Sequence, residues 1–154
     1  MKILTASAVD LEEILAIQKT SYLSEAEIYN NYNLQPLTQT ADEIIKEFEN
    51  GVVLKAVSED GKITGSVRGY VKNNTLYIGK LMVYPEFQNQ GIGKALLMEI
   101  ENRFQGMRYE LFTGSKSLKN IAIYLKSGYR EFKRAEIPDG TELIYFEKNA
   151  GKRI

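Results

Sequence analysis

Cysteine and histidine are both missing from this chain of 154 residues, and proline occurs only three times. The absence of cysteine excludes disulfides and covalent cysteine catalysis, and it fits a reducing compartment. The absence of histidine excludes a His–Cys zinc site, a Ser-His-Asp triad and an imidazole base, so no metal centre is expected. Proton transfer must then use Glu, Asp, Tyr, Lys, water or a chain terminus. No apolar run reaches the ~20 residues that a membrane span needs. The opening residues, MKILTASAVDLEE, turn polar and acidic too early for a secretory signal, and a cytoplasmic location is the resulting expectation. Neither sign of charge is in excess, since twenty basic residues face twenty acidic ones. That balance argues against a dedicated nucleic-acid binder. A Walker-type phosphate loop is also missing: no Gly-x4-Gly-Lys-(Ser/Thr) occurs.

What is present is the composition of a globular protein, 44% apolar and 26% charged. The length suits one domain, 1–154, with 149–154 expected to be a polar, frayed tail. Lys2 to Ala6 reads as a short strand. Ser7-Ala8-Val9-Asp10 approximates a capping box opening a helix with Leu11, Ile14 and Leu15 at helical spacing. Residues 23–39 are ambiguous, and the Pro36 step disfavours helix at Gln35. Thr40-Ala41-Asp42-Glu43 is a cleaner capping box for a helix through Phe48, which Asn50-Gly51 ends. Three strands follow, 52–58, 63–72 and 75–83, joined by short polar turns as in an antiparallel meander.

The most informative stretch is Tyr77 to Phe104, YIGKLMVYPEFQNQGIGKALLMEIENRF. An apolar strand breaks at Pro85, crosses a glycine-bearing loop, and becomes a helix from about Ile92 to Phe104. Ile92, Ala95, Leu96, Ile100 and Phe104 share one helical face. A turn of this kind presents unpaired backbone N–H groups at the positive end of a helix dipole, which suits a phosphate or pyrophosphate. Gly91 and Gly93 let an anion approach the main chain, and Lys94 can add charge. A strand at 108–113 then closes a βαβ crossover with one parallel pair. A short helix, 118–126, has Ser117 at its N-cap position and Gly128 at its end. A hairpin of 129–137 and 141–148 turns at Pro138-Asp139-Gly140. The fold class is α/β with a mixed sheet: antiparallel strands first, then a central parallel pair flanked by helices.

Gln88-Asn89-Gln90-Gly91-Ile92-Gly93 resembles the (Arg/Gln)-x-x-Gly-x-(Gly/Ala) motif of the GNAT superfamily of N-acetyltransferases. The preceding Leu81-Met82-Val83-Tyr84-Pro85 is similar to that family's strand ending in Val-x-Pro, and the order of elements matches the family's fold. The resemblance implies that acetyl-coenzyme A is bound by Leu81, Met82 and Val83 along its arm and by Gln88 to Lys94 at its pyrophosphate. Asn120 to Tyr129, NIAIYLKSGY, resembles the family's later motif. It implies Tyr124 as general acid to the departing thiolate, with Ser117 and Asn120 as further cofactor contacts. Ser117 replaces the family's Asn.

The resemblance also implies direct attack by an amine, with backbone N–H groups of Leu81 to Val83 stabilising the oxyanion. The strand 75–83 has no carboxylate, where many members carry a Glu, so Glu110 is the nearest candidate base and a water chain is the alternative. Tyr22, Glu25, Tyr29 and Arg68 are candidate contacts for the acceptor, a small-molecule or peptide amine. Lys80 reads equally as a substrate contact or a snorkelling lysine. A homodimer is compatible with these features. The competing readings are a non-catalytic coenzyme-A-binding sensor on the same fold, and a dinucleotide binder. The latter would need Gly-x-Gly-x-x-Gly after the first strand of a βαβ unit.

Overall fold

The strands and helices follow from where the β-branched and periodic apolar residues fall. In a computed structural model, which describes residues 1–149, seven strands form one sheet in the order β1-β2-β3-β4-β5-β7-β6. The strands are β1 (Lys2–Thr5), β2 (Val52–Val57), β3 (Ile63–Lys72), β4 (Thr75–Val83), β5 (Arg108–Gly114), β6 (Arg130–Glu136) and β7 (Glu142–Asn149). All neighbours are antiparallel except β4 and β5, which are parallel. The predicted mixed α/β sheet is therefore the one observed.

Six helices cover the two faces: α1 (Leu11–Ser21), α2 (Leu23–Tyr29), α3 (Gln35–Thr38), α4 (Ala41–Glu49), α5 (Ile92–Arg103) and α6 (Leu118–Lys126). One core lies under α5, where Leu96, Leu97 and Ile100 meet Leu54, Val67 and Leu76 of the sheet. The other lies under α1 and α4, where Ile14, Ile17 and Ile44 meet Val53, Ile63 and Met82. Met82 thus packs its side chain into the second core and offers the cleft only its backbone edge.

Several sequence expectations shift. The Ser7–Asp10 capping box exists, but it closes a single 3-10 turn, Ala8–Asp10, before α1. Gln35 is helical despite the Pro36 step, because Pro36 sits in the first turn of α3, where its missing N–H has no bond to make. The ambiguous stretch 23–39 holds two short helices, and Asn30 ends α2 in the left-handed region at φ 49°. Tyr129 belongs to the α6 terminus: its N–H donates to the Tyr124 carbonyl at 3.0 Å, with Gly128 at φ 92°. Asn149, expected in the tail, pairs with Arg108 at the end of β7, and 150–154 lie outside the described residues.

One buried polar network ties the second core to the sheet. Arg68 donates from Nε to Glu47 (3.0 Å) and from Nη2 to Gln18 (2.6 Å) and Gln39 (2.8 Å). Gln18 donates onward to Gln39 and to the Pro36 carbonyl, and Gln39 donates to Glu47.

Candidate active site

The central parallel pair is parallel only at its start. Thr75, Leu76 and Tyr77 face Arg108, Tyr109 and Glu110, and from Ile78 onward β4 has no register partner on β5. The divergence has a local cause. Between its pairings with Arg68 and Ser66, β4 spends three steps (Gly79 to Met82) against two on β3. The extra residue is a β-bulge, and Lys80 inside it has φ 52°. A non-glycine residue in that region is strained by about 1–3 kcal/mol, held by the surrounding structure. The result is a V-shaped gap that leaves the backbone of Leu81 to Val83 without a strand on one side.

One cleft, about 460 Å³, runs from this gap to the start of α5. Leu81, Val83, Gln88, Gly91, Gly93 and Lys94 line it, as do Asn89, Ile92 and Met82, whereas exposed Gln90 does not. The loop alternates hands: Asn89 has φ 65° and Gly91 φ 80°. Such a turn aims successive N–H groups the same way. The first intrahelical bond runs from the Ala95 N–H to the Gly91 carbonyl (3.0 Å), so the N–H groups of Ile92, Gly93 and Lys94 have no partner within the helix. The space over Gly91 is open, since a Cβ there would meet nothing within 4 Å. These features fit the pyrophosphate of a coenzyme A molecule. Gln88 serves differently from expectation: its Nε2 donates to the Val83 carbonyl (3.2 Å), which also accepts from Ser21 (3.3 Å), fixing the end of β4. Ile92 is mostly buried in the first core.

The far wall is α6. Asn120 lines the cleft and donates to Thr113 (3.4 Å). Tyr124 is buried, its ring packed against Tyr129 (6.2 Å between centroids) and Phe146 (5.7 Å). Among the described residues, no group hydrogen-bonds its hydroxyl. Among those residues the buried side-chain polar atoms without a partner are Arg68 Nη1 and Ser127 Oγ, so the Tyr124 hydroxyl is not fully enclosed, although Tyr124 is not among the residues that line the cleft. Burial raises the Tyr124 pKa, and its neighbours Tyr22 and Glu25 add to the rise. Tyr22 is pushed up to about 12, again mainly by burial, with Arg68 opposing and Glu25 reinforcing. Both phenols are therefore protonated near neutral pH.

Ser117 is 4% exposed and engaged away from the cleft. Its Oγ donates to Glu25 Oε2 (2.7 Å) and lies 2.7 Å from the Tyr29 hydroxyl, which accepts the Lys116 N–H at 3.0 Å. Tyr29 presses so closely on Gly114 that any side chain there would collide with its hydroxyl. Three candidates from distant parts of the chain, Glu25, Tyr29 and Ser117, thus form one cluster.

Glu110 and Arg68 lie elsewhere. They line a second cleft of about 630 Å³ on the α4 side of the gap, with Glu47, Lys80 and Tyr77. Glu110 is bonded to Arg108 at 2.8 Å, so its charge is already matched. Lys80 Nζ sits 3.9 Å from Glu47, and burial lowers its pKa against that pull. Among the described residues no group of carboxylates could hold a metal, and no helix is long and apolar enough to cross a membrane. Sequence reasoning missed Ser21, Phe87 and Lys119 of the first cleft. A hydroxyl or lysine of that kind carries no local signal of its partner.

The site is thus a mixed sheet split after a bulge, with an anion-receptive helix start beside the split. Residues 11–129 match the model of the Acetyltransferase (GNAT) family, and the chain belongs to that family. The family is one of acetyltransferases. The chain is 27% identical over 144 residues to the UPF0157 protein YqkA of Bacillus subtilis (strain 168), covering 92% of this chain and 41% of that one. The chain therefore spans less than half the length of that relative. The ribosomal-protein-S18-alanine N-acetyltransferase of Escherichia coli superposes with a TM-score of 0.80 at 17% identity, over 99% of this chain and 97% of that one. The PaiA N-acetyltransferase of Thermoplasma acidophilum, solved with coenzyme A, gives 0.75 at 19% identity, over 97% and 99%. At such identities the likeness is one of fold.

Proposed function

We propose that the protein transfers the acetyl group of acetyl-coenzyme A to a primary amine, by direct attack while both substrates are bound. The observation that carries this reading is the cleft that joins the Gly91–Lys94 turn to the unpaired edge of β4 at Leu81 to Val83. The N–H groups at the start of α5 hold the pyrophosphate, with Lys94 adding charge. The unpaired edge of β4, Leu81 to Val83, holds the thioester arm and supplies donors to the oxyanion. Tyr124 gives its proton to the departing sulfur. Asn120 borders the same wall, and Ser117 acts on it indirectly through Glu25. Glu110 and Arg68 belong to the second cleft, on the α4 side of the gap. E. coli and T. acidophilum neighbours named for N-acetylation support an amine acceptor.

The test is release of free coenzyme A across a panel of small amines and peptide N-termini. Tyr124→Phe keeps the ring packing against Tyr129 and Phe146. It is expected to lower kcat by about 100-fold or more, leaving coenzyme A affinity unchanged. Binding of coenzyme A with no thiol release on any amine would replace this reading with a sensor on the same fold.

A further inference from the structure

The acceptor's proton has no obvious destination at Glu110, because Arg108 already occupies that carboxylate. A different carboxylate reaches the first cleft. Glu25, on α2, lines it together with Leu81 and Val83. Its orientation is fixed by a directional chain of hydrogen bonds. Ser117 has a single hydroxyl proton and gives it to Glu25 Oε2 (2.7 Å). The 2.7 Å contact between Tyr29 and Ser117 must therefore be donated by Tyr29. The Tyr29 oxygen in turn accepts from the Lys116 N–H (3.0 Å). Lys116 N–H, Tyr29 O–H and Ser117 O–H all point toward one end, and that end is the carboxylate.

Only one oxygen of Glu25 is used. Among the described residues nothing bonds Oε1, and it is not among the buried atoms without a partner, so it is open to solvent on a residue that lines the cleft. The Glu25 charge also adds to the raised pKa of both Tyr22 and Tyr124. Tyr22 lines the same cleft and packs against the second core.

We propose that Glu25, held by Ser117 and Tyr29, is the group that receives the acceptor's proton, and that the acceptor is a cationic amine. The inference rests on the acetyl-transfer reading above. The ammonium is attracted to Oε1 and gives that oxygen one N–H proton, leaving a neutral amine. The nitrogen lone pair forms the C–N bond at the thioester carbonyl, and the C–S bond breaks. Tyr124 protonates the sulfur and regains a proton from the acylated nitrogen. Glu25 returns its proton to water, so one proton is released per turnover. Other charged groups lining this cleft are Lys94 from α5 and Lys119 from α6, and Tyr22, between α1 and α2, lines it as well.

The test compares Glu25→Gln with Ser117→Ala in the intact chain. Glu25→Gln keeps an oxygen for Ser117 and removes the charge. It is expected to lower kcat/KM for the amine about 100-fold near pH 7 with coenzyme A affinity unchanged. The deficit should shrink as pH rises toward the amine's own pKa, because solvent then supplies the neutral amine. Ser117→Ala keeps the charge and loosens its support. Its deficit should be smaller, about fivefold, and the same at every pH. A Glu25→Gln deficit that does not change with pH, or rates within about threefold of the parent, overturns the role of Glu25 while transfer itself stands. If the parent releases no thiol with any amine, the transfer reading and this one fall together.

Discussion

The two glycines of the α5 loop carry different physical duties, although they sit two positions apart. Gly91 adopts φ 80°, a region where a Cβ costs about 1–2 kcal/mol. The space its hydrogen faces is open, and it is the space that the unpaired N–H groups address. Gly93 is inside the helix, where an added Cβ would touch Val83 Cγ2 at 3.7 Å and Ile123 Cδ1 at 3.8 Å, ordinary contacts. Gly91→Ala should therefore destabilise the fold by about 1 kcal/mol and weaken coenzyme A by roughly tenfold. Gly93→Ala should stabilise by about 0.5 kcal/mol with affinity close to the parent. Titration calorimetry and urea unfolding on the two variants separate the cases. Equal losses of affinity at both positions would move the pyrophosphate away from Gly91. A valine at Gly91 would combine the crowding with the backbone cost, so it tests the cradle less cleanly than alanine.

At the scale of elements, the turn before α1 reports on acid. Asp10 accepts the Ser7 N–H at 2.8 Å and pairs with Lys55 of β2 at 2.9 Å, joining the start of α1 to the sheet. Burial alone would raise its pKa, but the Ser7 N–H and the Lys55 ammonium together bring it below the usual 3.8. A carboxyl depressed in the folded state adds stability above its unfolded pKa, and that stability is lost as pH falls through the folded value. Asp10→Asn should thus cost on the order of 1 kcal/mol near neutrality. The gap between variant and parent in urea unfolding should begin to close near about pH 4 and vanish once the pH lies below the folded carboxyl's own value. A constant gap down to pH 2 would show that the carboxylate's charge is not the contribution. The local box was legible because Ser7 and Asp10 are three residues apart, as Thr40 and Glu43 are in the box that opens α4. The meander, the α5 loop and α6 were legible for the same reason, since their signals are turns, glycines and periodic apolar residues. What escaped is long-range. The Tyr29–Ser117 contact spans 88 residues of sequence, and the Arg68–Gln18 bond spans 50. The helices α2 and α3 hold too few residues to show a period, and tertiary contacts such as fully buried Ala26 sustain them. The bulge at Lys80 gave no sign either, because glycine, the residue that marks such a conformation, stands next to it at position 79.

For the whole molecule, the decisive feature is that two clefts lie along successive halves of β4, one lined by Tyr77 to Lys80 and the other by Leu81 to Val83. The cleft of about 460 Å³ reaches the α5 loop, and that of about 630 Å³ lies against α4. Such an arrangement lets donor and acceptor be present together, without one vacating the site for the other. The chain also lacks the cysteine and histidine through which an acyl group is most readily parked. A ternary complex predicts a definite kinetic form. Double-reciprocal plots against the amine, at several fixed concentrations of acetyl-coenzyme A, should intersect. Mixing enzyme with acetyl-coenzyme A alone should release no stoichiometric burst of thiol, because without an amine there is no nucleophile aligned with the thioester. Parallel lines, or a burst equal to the enzyme concentration, would mean that a side chain takes the acetyl group first. Intact-mass measurement would then find the enzyme heavier by one acetyl. In that event the second cleft would be an ordinary groove between β4 and α4, and the divergence of β4 from β5 would serve the donor alone.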